Sequence, residues 1–284
     1  MKLMETRPVI AIITDFGHDD PFVGIMKGVI SKLSPRAQLI DISNSIPQGD
    51  IQRGAIQLWM AKSFFPAGTV FLAVVDPGVG TERKAMIIED GDFTYVGPNN
   101  GLFSYAVEGK FHAWELSNPE YQLAYGSSTF HGRDIFAPAA AQAANGIPGM
   151  NFGNQIGEIV QIPMPDLVVA PERMSGEIIY ADRFGNLLTS LGKFIKSGGE
   201  QYRFEPWLPL ATDFSYQLEY QIGTVKVQLP DGQLINWVQT FANIPPMECG
   251  ILVGSTGLLE IAAFNASAQT ITNLSVGDPV ALLF

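Results

Sequence analysis

The stretch VIAIITDFGHDDPFVGIMKG, residues 9–28, decides the fold. Residues 9–14 form an apolar run closed by Thr14, too short for a helix and too continuous for a half-exposed strand, so they read as a strand buried on both faces. Asp20 followed by Pro21 reads as a helix entry, with Asp as N-cap and Pro in the first helical position. The alternation then repeats. Residues 39–42 read as a second strand, 50–65 as an amphipathic helix and 69–75 as a third, strongly β-branched and aromatic strand. Residues 84–89 and 93–96, joined by Asp90-Gly91-Asp92, read as a hairpin. Residues 134–145 form an Ala-rich helix closed by Gly146. Repeated β/α units predict an α/β domain with a mostly parallel sheet.

Beyond residue 147 the pattern changes. Pro148, Pro163, Pro165 and Pro171 interrupt a stretch with neither helical nor strand periodicity, and a domain boundary is placed there, giving domains 1–165 and 166–284. Short apolar runs follow at 176–181, 201–204, 223–229, 234–241, 249–253, 258–264 and 279–284. Turn residues, most clearly Pro230-Asp231-Gly232, punctuate them at the spacing of a small β-barrel or sandwich, and a C-terminal β-barrel domain is expected.

The 284 residues carry 17 Lys plus Arg against 28 Asp plus Glu, for a formal charge of −11. With 46 % hydrophobic residues and 16 % charged, the chain has ample material for a core. An acidic surface without basic runs argues against a nucleic-acid or anionic-membrane partner. The single cysteine, Cys249, cannot close a disulfide within the chain and suits a reducing cytoplasm. The apolar run near the N-terminus is too short for a signal peptide, and no stretch has the length of a bilayer span. A soluble, cytoplasmic protein is expected.

Ligands of α/β sheets collect beyond the carboxyl ends of the strands, and two strands end in Asp. The first is followed by Asp15-Phe16-Gly17-His18-Asp19-Asp20, the second by Asp76-Pro77-Gly78-Val79-Gly80-Thr81-Glu82-Arg83. Neither is a phosphate-binding glycine loop. Asp15 offers two acceptor oxygens for a vicinal diol, or serves as a loop carboxylate; Asp20 suits a cap. Asp76 suits either chemistry or the turn made by Pro77 and Gly78. A third polar loop runs from Ser127 to Asp134 and contains His131, which composition alone leaves open between structure and function. His18 and His112 have no persuasive partners. In the second domain Asp182, Asn186, Phe241 and Ser255 lie in turns whose aromatic and amide groups suit a flat heterocycle as well as an ordinary barrel. No His, Cys or carboxylate spacing indicates a metal site.

Six blocks in order, IITDFGHDDPFVGIMKGVI, VVDPGVGTERK, YVGPNNGLFS, TFHGRDIFAPAAA, ADRFGNLLTS and GSTGLLEIAAFNAS, resemble the S-adenosyl-L-methionine hydroxide adenosyltransferase family, relatives of the fluorinase and chlorinase. The resemblance implies a homotrimer whose substrate pocket lies between the N-terminal domain of one subunit and the C-terminal domain of the next. It implies hydrolysis of S-adenosyl-L-methionine to adenosine and L-methionine, with no cofactor. It casts Asp76, Arg83 and His131 as the catalytic set of the hydroxide-using members, a set that halogenating relatives lack. The long insertion of the fluorinases is also missing, since only eight residues separate Met86 from Tyr95. By the same likeness Asp15 holds the ribose hydroxyls, Phe130 and Phe241 line the nucleoside pocket, Asn186 bonds adenine, and Asp182 with Ser255 meets the methionine end. Thr256 stands where the halogenases carry Arg.

Two other readings compete. The opening Thr14-Asp15-x-Gly17-x-Asp19-Asp20 looks like that of calcium-dependent nucleoside N-ribohydrolases, but Ile13 stands where those place a further Asp ligand. A non-catalytic nucleoside or S-adenosylmethionine sensor on the same scaffold is the third.

Overall fold

In the computed structural model, residues 7–170, 172–207, 219–221 and 223–283 are described, so Pro171 and the last residue of the apolar run at 279–284 lie outside the described residues. Contacts divide the chain into two units, Met1–Ile162 and Pro163–Phe284.

The first unit is a six-stranded sheet with helices on both faces. Its strands are β1 (Val9–Thr14), β2 (Gln38–Ser43), β3 (Val70–Val74), β4 (Ala85–Glu89), β5 (Thr94–Pro98) and β6 (His112–Glu115), in the spatial order β2-β1-β3-β5-β4-β6. β2, β1, β3 and β5 are parallel, and β4 runs antiparallel to both β5 and β6. β1 and β3 lie inside the sheet, and alternate residues feed two cores. Ile10, Ile12, Leu72 and Val74 pack with Met26 and Ile30 of helix α1 (Phe22–Leu33) and Ala140 of helix α3 (Ala137–Ala144). Ala11, Ile13, Phe71 and Ala73 pack on the other face with Leu58 of helix α2 (Ile51–Lys62). Each of the large side chains so buried contributes about 1.5–3 kcal/mol relative to exposure. Both surfaces of the central strands are thus spent on packing, leaving their carboxyl ends to present polar groups.

The helix entries differ in detail from the sequence reading. α1 begins at Phe22 with Pro21 as its N-cap residue, and no side chain caps it. Ile25 N–H donates to Pro21 C=O at 2.8 Å, so the first helical turn starts one residue too late for Asp20 to cap. Asp50, by contrast, accepts the Arg53 N–H at 2.9 Å and does cap α2. The Ala-rich segment enters through a π-turn, Gly132–Phe136, before α3 begins, and ends at Gly146 in the left-handed region (φ 90°).

The second unit is β-rich. Its strands are β7 (Leu167–Ala170), β8 (Arg173–Ala181), β9 (Leu187–Gly198), β10 (Gln201–Glu205), β11 (Glu219–Gln221), β12 (Lys226–Gln228), β13 (Leu234–Asn236), β14 (Cys249–Val253), β15 (Leu258–Ala263) and β16 (Pro279–Leu283), with a short helix α4 (Ala268–Thr272). The path β11-β10-β9-β8-β16-β12-β13 is joined by β7 on β8 and by the β14–β15 pair on β9. No closed barrel is formed by the named strand pairings among the described residues; a single bridge, Trp237 with Ile251, lies between the β13 and β14 ends. The sequence reading missed β9, the longest strand, because Ser190, Gly192, Lys193 and Lys196 mask its pattern. Leu187, Leu191 and Phe194 nevertheless sit in the core, with Trp237, Ile251 and Ile261. No helix of the described residues is long and apolar enough to cross a membrane.

Candidate active site

The register of the parallel sheet sets the site. Thr14 of β1 lies beside Val74 of β3, so Asp15 and Asp76 emerge from neighbouring strand ends. The Asp15 Oδ2 accepts the Gly49 N–H at 2.9 Å. Burial, and secondarily the nearby Asp76 charge, lift the Asp15 carboxyl above its ordinary range, against the pull of that hydrogen bond.

After Asp76 the chain makes two tight turns, with Val79 N–H donating to Asp76 C=O and Thr81 N–H to Gly78 C=O, both at 3.2 Å. These turns send Arg83 back over the loop. Its Nη2 donates to Asp76 Oδ2 at 2.5 Å and lies 2.9 Å from His131 Nδ1. The Asp76 and Arg83 side chains are only 5 % and 8 % exposed, and the guanidinium sits over the Phe136 ring at 5.4 Å. Asp76 Oδ1 and Arg83 Nε and Nη1 are buried without a hydrogen-bond partner among the described residues. Burial outweighs the attraction of Arg83 and raises the Asp76 carboxyl. Burial, reinforced by the Arg83 charge, pushes the His131 imidazole below its ordinary value, so it is neutral at pH 7.

The loop that carries His131 is held by Asp134, whose Oδ2 accepts the Ser127 N–H at 2.7 Å and whose two oxygens take Arg133 Nε and Nη2 at 2.6 and 2.9 Å. Asp134, at the end of the loop, thus holds it closed. Gly80, at φ 78°, brings the first loop onto the second, and a Cβ there would lie 2.8 Å from Ser128 C=O. A cavity of about 420 Å³ is lined by Asp76, Val79 and His131 together with Phe16, Phe22 and Phe130. The three rings pack edge to face, with centroids 5.3–6.0 Å apart. Sequence reasoning did not single out Phe16 and Phe22 for the pocket; their signal was aromatic residues flanking a strand-end Asp.

The second unit holds the remaining predicted residues. Asp182 organises a turn: Oδ1 accepts the Phe184 and Asn186 N–H groups at 2.8 and 2.9 Å, and Oδ2 accepts Asn186 Nδ2 at 2.9 Å. Asn186 and Phe241 line a hollow of about 500 Å³ with Phe184, Phe264 and Asn265. Asp182 and Ser255 are not among its lining residues; Ser255 is exposed in the β14–β15 turn. Glu260, buried in β15, was missed, although a carboxylate inside the apolar run Leu258–Ala263 was a legible signal. Among the described residues no group of three or more His, Cys, Asp or Glu is placed to hold a metal ion.

An Asp–Arg pair with buried side chains, joined to a half-buried His, stands at the strand ends of an α/β sheet beside an aromatic cavity, in a chain that continues into a β-rich unit; this defines a class of small-molecule enzyme. Models of the SAM hydroxide adenosyltransferase N-terminal and C-terminal domains match residues 10–153 and 176–281, and the chain belongs to that family. It is 35 % identical to a protein of Thermus thermophilus named (R)-S-adenosyl-L-methionine hydrolase, over 98 % of this chain and all of that one. A protein of the same name from Methanocaldococcus jannaschii is 30 % identical over 97 % of this chain and 96 % of its own. A fluorinase of Actinopolyspora mzabensis is 27 % identical over 75 % of this chain and 81 % of its own. Among solved structures, a conserved protein of Thermotoga maritima superposes with a TM-score of 0.81 at 30 % identity, covering 97 % of this chain and all of that one.

Proposed function

We infer that this protein hydrolyses S-adenosyl-L-methionine to adenosine and L-methionine by in-line attack of water on the ribose C5′. The observation that carries the reading is the Asp76–Arg83–His131 cluster beside an aromatic cavity, in a chain whose full-length relatives bear the hydrolase name.

The leaving group is a neutral thioether, so no general acid is required; the enzyme must position water and take its proton. Arg83 Nη2 has only hydrogens to offer, so His131 Nδ1 accepts, and a neutral imidazole therefore carries its proton on Nε2. His131 then serves as a donor that orients the nucleophile and stabilises hydroxide character. The proton acceptor is Asp76, whose Oδ2 is committed to Arg83 while Oδ1 has no partner in the chain, and whose basicity burial increases. Arg83 balances the carboxylate charge before and during attack. Ring faces of Phe16, Phe22 and Phe130 suit a sulfonium cation, and the apolar wall that these residues make excludes competing water.

Asp15 is assigned to the ribose hydroxyls, Phe130 and Phe241 to the nucleoside, Asn186 to adenine, and Asp182 with Ser255 to the methionine end. The reading includes a cytoplasmic homotrimer in which facing surfaces of two subunits share each substrate, with no cofactor and no metal. Exposed Phe184, Phe241 and Phe264 around Asn186 support such a covered surface. It also includes a C-terminal barrel, supported by the pairing path β13-β12-β16-β8-β9-β15-β14, whose two ends meet at the Trp237–Ile251 bridge.

The test is incubation with S-adenosyl-L-methionine in ¹⁸O-labelled water, with and without chelator, followed by mass analysis. Labelled adenosine with methionine, indifferent to chelator, is the expected result. Adenine would instead indicate glycosidic cleavage, and binding without turnover would indicate a sensor.

A further inference from the structure

Thr14 ends β1 and Asn44 follows β2. Their side chains are a hydroxyl and an amide buried where the strands open onto the site, the residues 0 % and 1 % exposed, and the reaction scheme above gives them no task. A bulge brings them together. β1 and β2 keep one register from Val9 beside Gln38 to Ile12 beside Asp41, but Ile13 lies beside Ser43, so β2 carries one residue more than β1 at that point. The extra residue brings Asn44 rather than Ser43 level with Thr14, and the Thr14 hydroxyl donates to Asn44 Oδ1 at 2.9 Å. Bulges of this kind re-aim the side chains that follow them.

Further bonds from the pair close around Asp15. Thr14 Oγ1 accepts the Phe16 N–H at 3.3 Å. The Gly17 N–H donates to Asn44 C=O at 2.7 Å, from a backbone turned back through the left-handed region at φ 73°. The Ile46 N–H donates to Thr14 C=O at 3.4 Å. The chain on both sides of Asp15 is therefore tied to one buried point, while the carboxylate is tethered at its tip by the Gly49 N–H. Asn44 Nδ2 stays buried with no partner among the described residues, a cost that an apolar pair of the same shape would not carry. Stability alone does not account for a polar pair here.

We propose that Thr14 and Asn44 are positioning residues that aim the Asp15 carboxylate at the vicinal ribose hydroxyls of the substrate; this rests on the assignment of Asp15 made above. Both are too deeply buried to meet the sugar themselves. A carboxylate holds two adjacent hydroxyls only when its plane is set, because hydrogen bonds weaken steeply with misalignment. The pair sets that plane through the backbone before substrate arrives, so no ordering of the loop is needed on binding. Preference for ribose over a sugar without hydroxyls then depends on two residues that never touch it.

The experiment measures binding of adenosine and 2′,3′-dideoxyadenosine by calorimetry, for wild-type protein, Thr14→Val, Thr14→Ser and Asn44→Ala. The wild type is expected to prefer adenosine at least about 30-fold. Thr14→Val, isosteric but without the hydroxyl, should weaken adenosine about 10-fold and leave dideoxyadenosine within about twofold. Thr14→Ser keeps the hydroxyl and should restore adenosine binding. Asn44→Ala keeps the backbone bond to Gly17 and should show the same selective loss, at about fivefold. Equal losses for both nucleosides, or none, overturn the proposal, and so does failure of both Thr14→Val and Asn44→Ala to fold, which assigns the pair to packing. Wild-type protein that binds the two nucleosides alike instead refutes the placing of the diol on Asp15, and the positioning role falls with it.

Discussion

The Asp76 region and the Glu260 region both bury a carboxyl group, and they resolve its charge in opposite ways. Asp76 lies against a built-in guanidinium and, through it, an imidazole. Glu260 has only another carboxylate in its electrostatic surroundings. A buried charge costs several kcal/mol unless it is paired. The first region meets that cost inside the chain and is organised before substrate arrives, as a group that must act on water needs to be. The second has no countercharge among the described residues, and burial instead lifts its carboxyl to about 7, so that protonation rather than pairing removes the charge.

The sharpest way to break this comparison is Asp76→Asn. It keeps shape and removes the acceptor, and kcat should fall about 1,000-fold with KM within a few fold; stopped assays for adenosine would measure it. A variant within tenfold of wild type would move the base elsewhere. His131→Ala and Arg83→Ala should each cost at least about 100-fold in turnover. Arg83→Ala should also lower the melting point, because it leaves Asp76 buried without its cation. The pH profile bears on the same contrast. Asp76 must be ionised to act, so kcat/KM should fall as acid protonates it, with a midpoint above the ordinary value of 3.8. His131 is already neutral at pH 7 and adds no loss between pH 7 and 8.

A smaller effect is expected at Gly80. A side chain there meets both the positive φ and the Ser128 carbonyl, so Gly80→Ala should cost about 1–2 kcal/mol of stability and reduce turnover about tenfold by spreading the loops that place Asp76 and His131. Calorimetry and steady-state rates separate the two losses. The smallest concerns Glu260. Its folded carboxyl titrates near 7 against 4.5 for the free side chain. The native state therefore binds the proton more tightly, and the stabilisation so gained is full below about pH 4.5 and lost as pH rises through 7. With part of that shift screened by solvent, unfolding between pH 5 and 8 should show a loss of about 1–2 kcal/mol that Glu260→Gln abolishes.

Periodicity located the central strands because burial on both faces leaves uninterrupted apolar runs, and β1 occupies residues 9–14 as read. It overlooked β9, where turn-like and charged residues sit within a strand whose pairing partners supply the order that its own sequence lacks. It placed Asp20 as a cap because the Asp-Pro pair obeys the local rule; the register of the first turn, fixed by packing, decided otherwise. The site shows the same division. Strand-end carboxylates followed from the sheet, whereas nothing local announces that Arg83 and His131, 48 residues apart, meet at 2.9 Å. That association came from the family likeness. Glu260 stood in plain view as a charge in an apolar strand.

The π-turn at Gly132–Phe136 sets the aim of the histidine before it. A π-turn accommodates one residue more than an α-turn, and the Ala137 N–H donates to Gly132 C=O accordingly. Deleting a single residue from this turn would let the helix run on as ordinary α-helix with its ladder of hydrogen bonds complete, yet would swing residue 131 by about 100° around the axis, away from Arg83. One residue of surplus length, neutral to the helix as a scaffold, is what separates a chain that points its imidazole at the guanidinium from one that merely contains both.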